Sequence, residues 1–302
     1  MTDENTECET NNSYALSTRA SGTLRQMGTS LTIGALEQAL LAQFPAADAE
    51  EWDRTGLLIG DPSETIEKVA IALDPTPTAI AQASSLGANV VLTHHPAYLS
   101  APEIFRPSSS VAENDGALVW AAISAHVAVM SFHTALDVSE VAARMLPGLL
   151  SLTYTERLVC PLATYSKKGY GQICIPHATD TPFSLAHLAA RATSVFGRAP
   201  RTWGDFTREL KTIVTCTGSA GKVARASLSA GADCLVCGEI KYHDALALSQ
   251  AGLCIVDLGH DVSELPFTSI LANECMRAGV DADSIEILDQ SDNWTYPETV
   301  RM

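Results

Sequence analysis

Long apolar runs are missing from this chain. No stretch approaches the roughly 18–20 residues that cross a bilayer, so no membrane partner is expected. The N-terminus, MTDENTECETNN, has neither the basic nor the apolar region of a signal peptide. A cytoplasmic location is the expectation. Basic residues are scarce as well. Nineteen Lys and Arg face 35 Asp and Glu, a formal net charge of -16. Such a surface repels phosphate backbones, so nucleic acid is not an expected partner. Aromatics are only 6% against 46% hydrophobic residues, a balance that suits an α/β protein better than a β-sandwich. A second CxxC is absent too. Cys234 and Cys237 form a lone pair in GADCLVCGE, which reads as a strand. Residues three apart in a strand point to opposite faces, which speaks against a zinc or redox role for the pair. Finally, no complete GxxxxGK[ST] loop exists. Gly218-Ser219-Ala220-Gly221-Lys222 comes near it, but Cys216 takes the first glycine position and Val223 replaces Ser/Thr. It reads as a strand-to-helix turn whose helix N-terminus attracts a phosphate weakly.

What is present is α/β patterning. The 302 residues suffice for two domains with their own cores. Residues 1–28 are polar and acidic, and disorder is expected there. Apolar spacing predicts a helix from Ile33 to Phe44. VAIALD reads as a buried strand, Pro77 to Leu86 as a helix closed by Gly87, and NVVLT as the next strand. That order is a βαβ unit with parallel strands. VAVMSF is another buried strand. RLVCPL and GYGQICIP follow as strands around a lysine-bearing turn, and strand–helix alternation resumes to LCIVDLGH. Ser263 is expected to open the last long helix. The reading is an α/β protein of two lobes, each a mixed sheet flanked by helices. Residues 29–150 plus 251–290 are assigned to the first lobe, 151–250 to the second and 291–302 to a tail.

Three strand ends look alike. NVVLT ends in His94-His95, VAVMSF in His133 and Asp137, and LCIVDLG in His260 with Glu264 four residues later. Parallel strands gather their C-terminal ends at one edge, where ligands of open α/β sheets usually bind. Imidazoles suit first-row divalent metals, and carboxylates offset the charge of two cations and can bridge them. Singly, each residue also has a plain role as a loop histidine, an N-cap or a first-turn acid. Jointly they point to a metal site.

WDRTGLLIGDP, VAIALDPT, GANVVLTHHP and SFHTALD, followed by TCTGSAG, GADCLVCGEIKYHDAL and IVDLGHDVSE, resemble the GTP cyclohydrolase I type 2 family, also called NIF-three-like. The resemblance covers about residues 30 to 290. It implies two α/β lobes with a dimetal site in the cleft between them, and a homohexamer. It also implies two divalent transition-metal ions (zinc, iron or manganese). By resemblance His95 and Asp137 share one ion, His94 and His260 share the other, and Glu264 bridges both. His133 and His243 match motif positions near the cleft and are candidates for proton transfer. The implied reaction is attack of a metal-bound hydroxide on the purine ring of GTP, with formate release. The expected partner is thus a small molecule, with a nucleotide as the candidate. Two alternatives stay open: a metal-dependent phosphoesterase acting on a small phosphorylated metabolite, and a non-catalytic metal-binding or scaffold protein.

Overall fold

In the computed structural model, residues 31–180, 182–291 and 293–294 are described. The expectations for residues 1–28, and for most of 291–302, lie outside them. Thr32 caps α1 (Ile33–Gln43), its hydroxyl accepting from the Ala35 amide at 3.2 Å. The first sheet contains β1 (Gly56–Ile59), β2 (Val69–Ala72), β3 (Val90–Thr93) and β4 (Ala128–Ser131). α2 (Pro77–Ser85) joins β2 to β3, and α3 (Asn114–Ser124) joins β3 to β4. β2, β3 and β4 run parallel, as the βαβ reading requires, and β1 pairs antiparallel at the edge. Side chains alternate across this sheet. Ile71, Leu92 and Met130 pack with α1, and Ala70, Val91 and Val129 pack with α2 and α3.

After β4 come a short α4 (Thr134–Asp137) and α5 (Ala142–Leu149). The chain then builds a second sheet. β5 (Leu152–Pro161) and β6 (Gly169–Pro176) form its antiparallel arm. α6 (Leu185–Phe196) and the short β7 (Arg201–Trp203) follow. β8 (Ile213–Ser219), α7 (Gly221–Ser229), β9 (Cys234–Glu239), α8 (Tyr242–Gln250) and β10 (Cys254–Asp257) supply the parallel part. Cys234 and Cys237 bury on opposite faces of β9, as strand geometry dictates. Among the described residues no helix is long and apolar enough to cross a membrane.

The last third corrects one expectation. β10 was assigned to the first lobe, but it pairs with β9 and β7 in the second sheet. The return to the first lobe comes later, through α10 (Phe267–Ala278) and β11 (Ile285–Ile287). Phe267, Leu271 and Cys275 enter the core under β2, β3 and β4, and β11 pairs parallel with β2. Between β10 and α10 lies α9 (His260–Glu264), which starts before the expected Ser263. Pro266 ends it and opens α10, because a proline donates no amide to continue the helix. The order is β1-β4-β3-β2-β11 in one sheet and β5-β6-β8-β9-β10-β7 in the other.

Candidate metal centre

Both sheets aim the C-terminal ends of their parallel strands at one place. β3 delivers His94 and His95, β4 leads into His133 and Asp137, and β10 leads into His260 and Glu264 on α9. A single helical turn sets His260 and Glu264 on one face, their side chains 3.1 Å apart (Nε2 to Oε2).

Each imidazole is held by its Nδ1 atom. His94 Nδ1 lies 3.1 Å from the Phe132 carbonyl and donates to it. His95 Nδ1 lies 2.7 Å from Asp74 Oδ1, and His260 Nδ1 lies 3.2 Å from Glu239 Oε1. All three Nε2 atoms therefore face inward. His94 Nε2 is 3.6 Å from Asp137 Oδ1 and 3.8 Å from Glu264 Oε1, and His95 Nε2 is 3.1 Å from Glu264 Oε2. Ligand atoms about 2 Å from a shared ion sit roughly 3–4 Å from one another, so these spacings match. Among the described residues, the buried His94 Nε2, Asp137 Oδ1 and Glu264 Oε2 find no hydrogen-bond partner despite these approaches. Buried polar atoms are otherwise almost always satisfied. Donor atoms drawn together without hydrogen-bond alignment are what a shared cation would hold, so the residues fit the implied ions.

Three groups of ligand atoms each lie within 4.8 Å of one another: His94, Asp137 and Glu264; His95, His260 and Glu264; and His94, His95 and His133. The first two set His94 with Asp137 and His95 with His260, where the resemblance implied His95 with Asp137 and His94 with His260. The reason is that adjacent residues leaving β3 diverge: His94 turns inward to full burial beneath Phe132, and His95 turns toward the second lobe. Glu264 belongs to the first two groups.

The electrostatics follow from crowding in a dry site. Burial works against a charged His95, yet its hydrogen bond to Asp74 and the negative charge of the nearby Glu264 outweigh it and push the imidazole up to about 10. Glu264 raises His260 to about 9. Burial, then the negative Glu264, raises Asp137 to about 7. Burial lowers His94. Glu264 is itself held well below the usual carboxylate range, because the surrounding imidazoles outweigh its burial.

His133 and His243 part company. His133 shares one of those groups with His94 and His95, its ring centroid 5.1 Å from that of His94 and 5.3 Å from that of His95. Its Nδ1 lies 3.0 Å from Asp53 Oδ1, while Asp53 Oδ2 accepts from the Thr134 amide and hydroxyl. His243, in contrast, sits exposed at the start of α8 with its ring against Tyr242. It neither joins the ligand cluster nor lines the adjoining cavity. The motif match placed it near the cleft; the helix turns it outward.

That cavity measures about 490 Å³ and is lined by Trp52, His133, Asp137, Lys222, His260 and Glu264, among others. Lys222 reaches across to Glu50 at 3.2 Å. The glycine turn before it has a steric role. Gly218 has φ +57°, its amide donates to Ser263 Oγ at 2.9 Å, and a Cβ there would overlap Glu264 Oε1.

Sequence reasoning missed Asp74, Glu239 and Asp53 as orienting acids. Asp74 and Glu239 carried a signal, since both follow or end parallel strands at the same edge as the ligands.

The profile of Duf34/NIF3 (NGG1p interacting factor 3) matches residues 31–292. A Streptomyces coelicolor protein called "GTP cyclohydrolase 1 type 2 homolog" is 29% identical over 241 residues, covering 77% of this chain and 81% of that one. A Lactococcus lactis protein of the same name is 30% identical over 237 residues, covering 76% and 86%. The crystal structure of a Staphylococcus aureus hypothetical protein superposes with a TM-score of 0.78 at 22% identity, covering 89% of this chain and 100% of that one.

Proposed function

This chain belongs to the Duf34/NIF3 family, and from that premise we propose that it is a dinuclear metal-dependent hydrolase acting on a small molecule, with GTP as the first substrate to test. The observation that supports it most is the set of buried, unpartnered donor atoms on His94, Asp137 and Glu264 facing His95 and His260. His94, Asp137 and Glu264 would hold one divalent ion, and His95, His260 and Glu264 the other. Two such ions supply Lewis acidity and a water ionised near neutral pH.

The chain's own residues do the rest. Asp53 accepts the Nδ1 proton of His133 and so leaves Nε2 free to exchange a proton with a substrate in the cavity. Trp52, its ring centroid 5.7 Å from that of His133, walls one side of the cavity. Asp74 and Glu239 fix the ring orientations of His95 and His260. The name borne by the two bacterial relatives supports a purine-ring opening with formate release. The reading extends to a cytoplasmic homohexamer. The seven free described cysteines suit a reducing compartment.

Metal analysis of purified protein, formate release from GTP and light scattering test the parts in turn. The expectation is two ions per chain, turnover that His94→Ala abolishes, and six chains per particle. Hydrolysis of a phosphodiester without formate would replace the cyclohydrolase activity with a phosphoesterase. Full metal with no turnover across a metabolite panel would leave a binding protein.

A further inference from the structure

The segment after β11 crosses from one lobe to the other beside the metal centre. Leu288 donates its amide to the Ile71 carbonyl at 2.8 Å and buries its side chain among those packed under α2 and α3. Two residues on, the buried Gln290 turns into the loop that follows β2. Its Oε1 accepts from the amides of Leu73 and Asp74 at 2.8 and 2.9 Å, and its Nε2 donates to the Asp74 carbonyl at 2.9 Å. The side chain thereby meets three backbone groups of a two-residue stretch. That same stretch holds His95 twice. The Leu73 carbonyl accepts from the His95 amide at 3.0 Å, and the Asp74 carboxylate takes His95 Nδ1 at 2.7 Å.

The segment then reaches the second lobe. The Ser291 carbonyl accepts from Arg198 Nη2 at 3.3 Å, and Trp294 Nε1 donates to Asp261 Oδ2 at 3.0 Å. Arg198 stacks 4.0 Å from the Trp294 ring and also donates to Asp261 Oδ2, at 3.2 Å. Asp261 is the neighbour of His260. One strap therefore grips the loop behind His95 at one end and the residue beside His260 at the other.

We propose that Gln290 is a positioning residue for the ion held by His95, His260 and Glu264, acting through Asp74, and that the strap carrying it assembles that position selectively. The inference rests on the two-ion reading above. Removing the amide frees Leu73 and Asp74, so His95 loses its fixed ring orientation. His94 and Asp137 keep theirs.

Cobalt(II) titration of the metal-free full chain, followed by visible absorption and calorimetry, tests this. Wild type is expected to take two equivalents. Gln290→Ala should keep one at wild-type affinity and weaken the other by about 10- to 100-fold, the usual effect of losing an outer hydrogen-bond partner. Gln290→Met fills the same space and should behave alike if alanine impairs folding. Leu288→Ala is the structural control: it should lower the melting temperature and leave both equivalents. Two unchanged equivalents in the Gln290 variants, equal weakening of both, or loss of one in Leu288→Ala would overturn the positioning role alone. A wild-type chain that takes up no cobalt would end the metal reading and this inference with it.

Discussion

At the scale of single residues, the site is a competition between protons and metal ions. His95 and His260 hold protons up to about pH 10 and 9 in the metal-free chain. An ion must displace them, so apparent affinity should climb as pH rises through neutrality toward 9. Calorimetry at pH 7 in buffers of differing ionisation enthalpy should show a proton released from each imidazole. Asp53 gives the opposite kind of dependence. Burial opposes its charge, but the hydrogen bonds from His133 and Thr134 win and hold it at about 2. A carboxylate depressed in the folded state stabilises above its unfolded value and loses that stabilisation as pH falls toward its folded one. Asp53→Asn should therefore cost about 2 kcal/mol at pH 7 and almost nothing at pH 2, measured by urea unfolding. Gly218→Ala would drive a methyl into Glu264 and should weaken both ions at once, read by the same cobalt titration. The five clustered residues His94, His95, Asp137, His260 and Glu264 were legible as a group in the sequence because imidazoles at repeated strand ends are unusual. Asp74 and Glu239 lay at the same strand ends, but nothing in a lone acid there marks it as an orienting partner rather than a turn residue.

At the scale of elements, helix phase decides whether the site exists. α9 begins at His260, one turn earlier than the Ser263–Glu264–Pro266 pattern suggested, because Gly259 at φ +103° lets the chain turn sharply out of β10. Only then do His260 and Glu264 face the same way. Inserting one alanine between Ser263 and Glu264 would rotate the carboxylate by about 100° around the helix. Metal binding should vanish while the far-ultraviolet circular dichroism stays near wild type. Long strands and helices were readable from periodicity, and the βαβ order gave their direction. The sheet to which β10 belongs was not readable, since a four-residue apolar strand carries no mark of its partner. Three-residue strands such as β7 and β11 left no periodic signal at all.

At the scale of the whole molecule, the cations would join the two lobes, with Glu264 from one meeting His94 and His95 from the other. Ions bound only by the folded form stabilise it by mass action. At a free metal concentration 100 times Kd the gain is about 2.7 kcal/mol per site, so the melting temperature should rise by about 5–10 °C per ion, reversibly with chelator. The interleaving of the lobes carries a further consequence, for synthesis. The first sheet's apolar floor, with Ile71, Leu92 and Met130, is covered by Phe267 and Leu271 only after every strand of the second lobe has been made. A ribosome therefore releases a greasy, half-roofed first lobe and must translate the entire second one before the roof arrives. Nascent chains stalled anywhere in that interval should bind chaperones, and the stretch that completes the roof follows directly on the one that supplies His260 and Glu264.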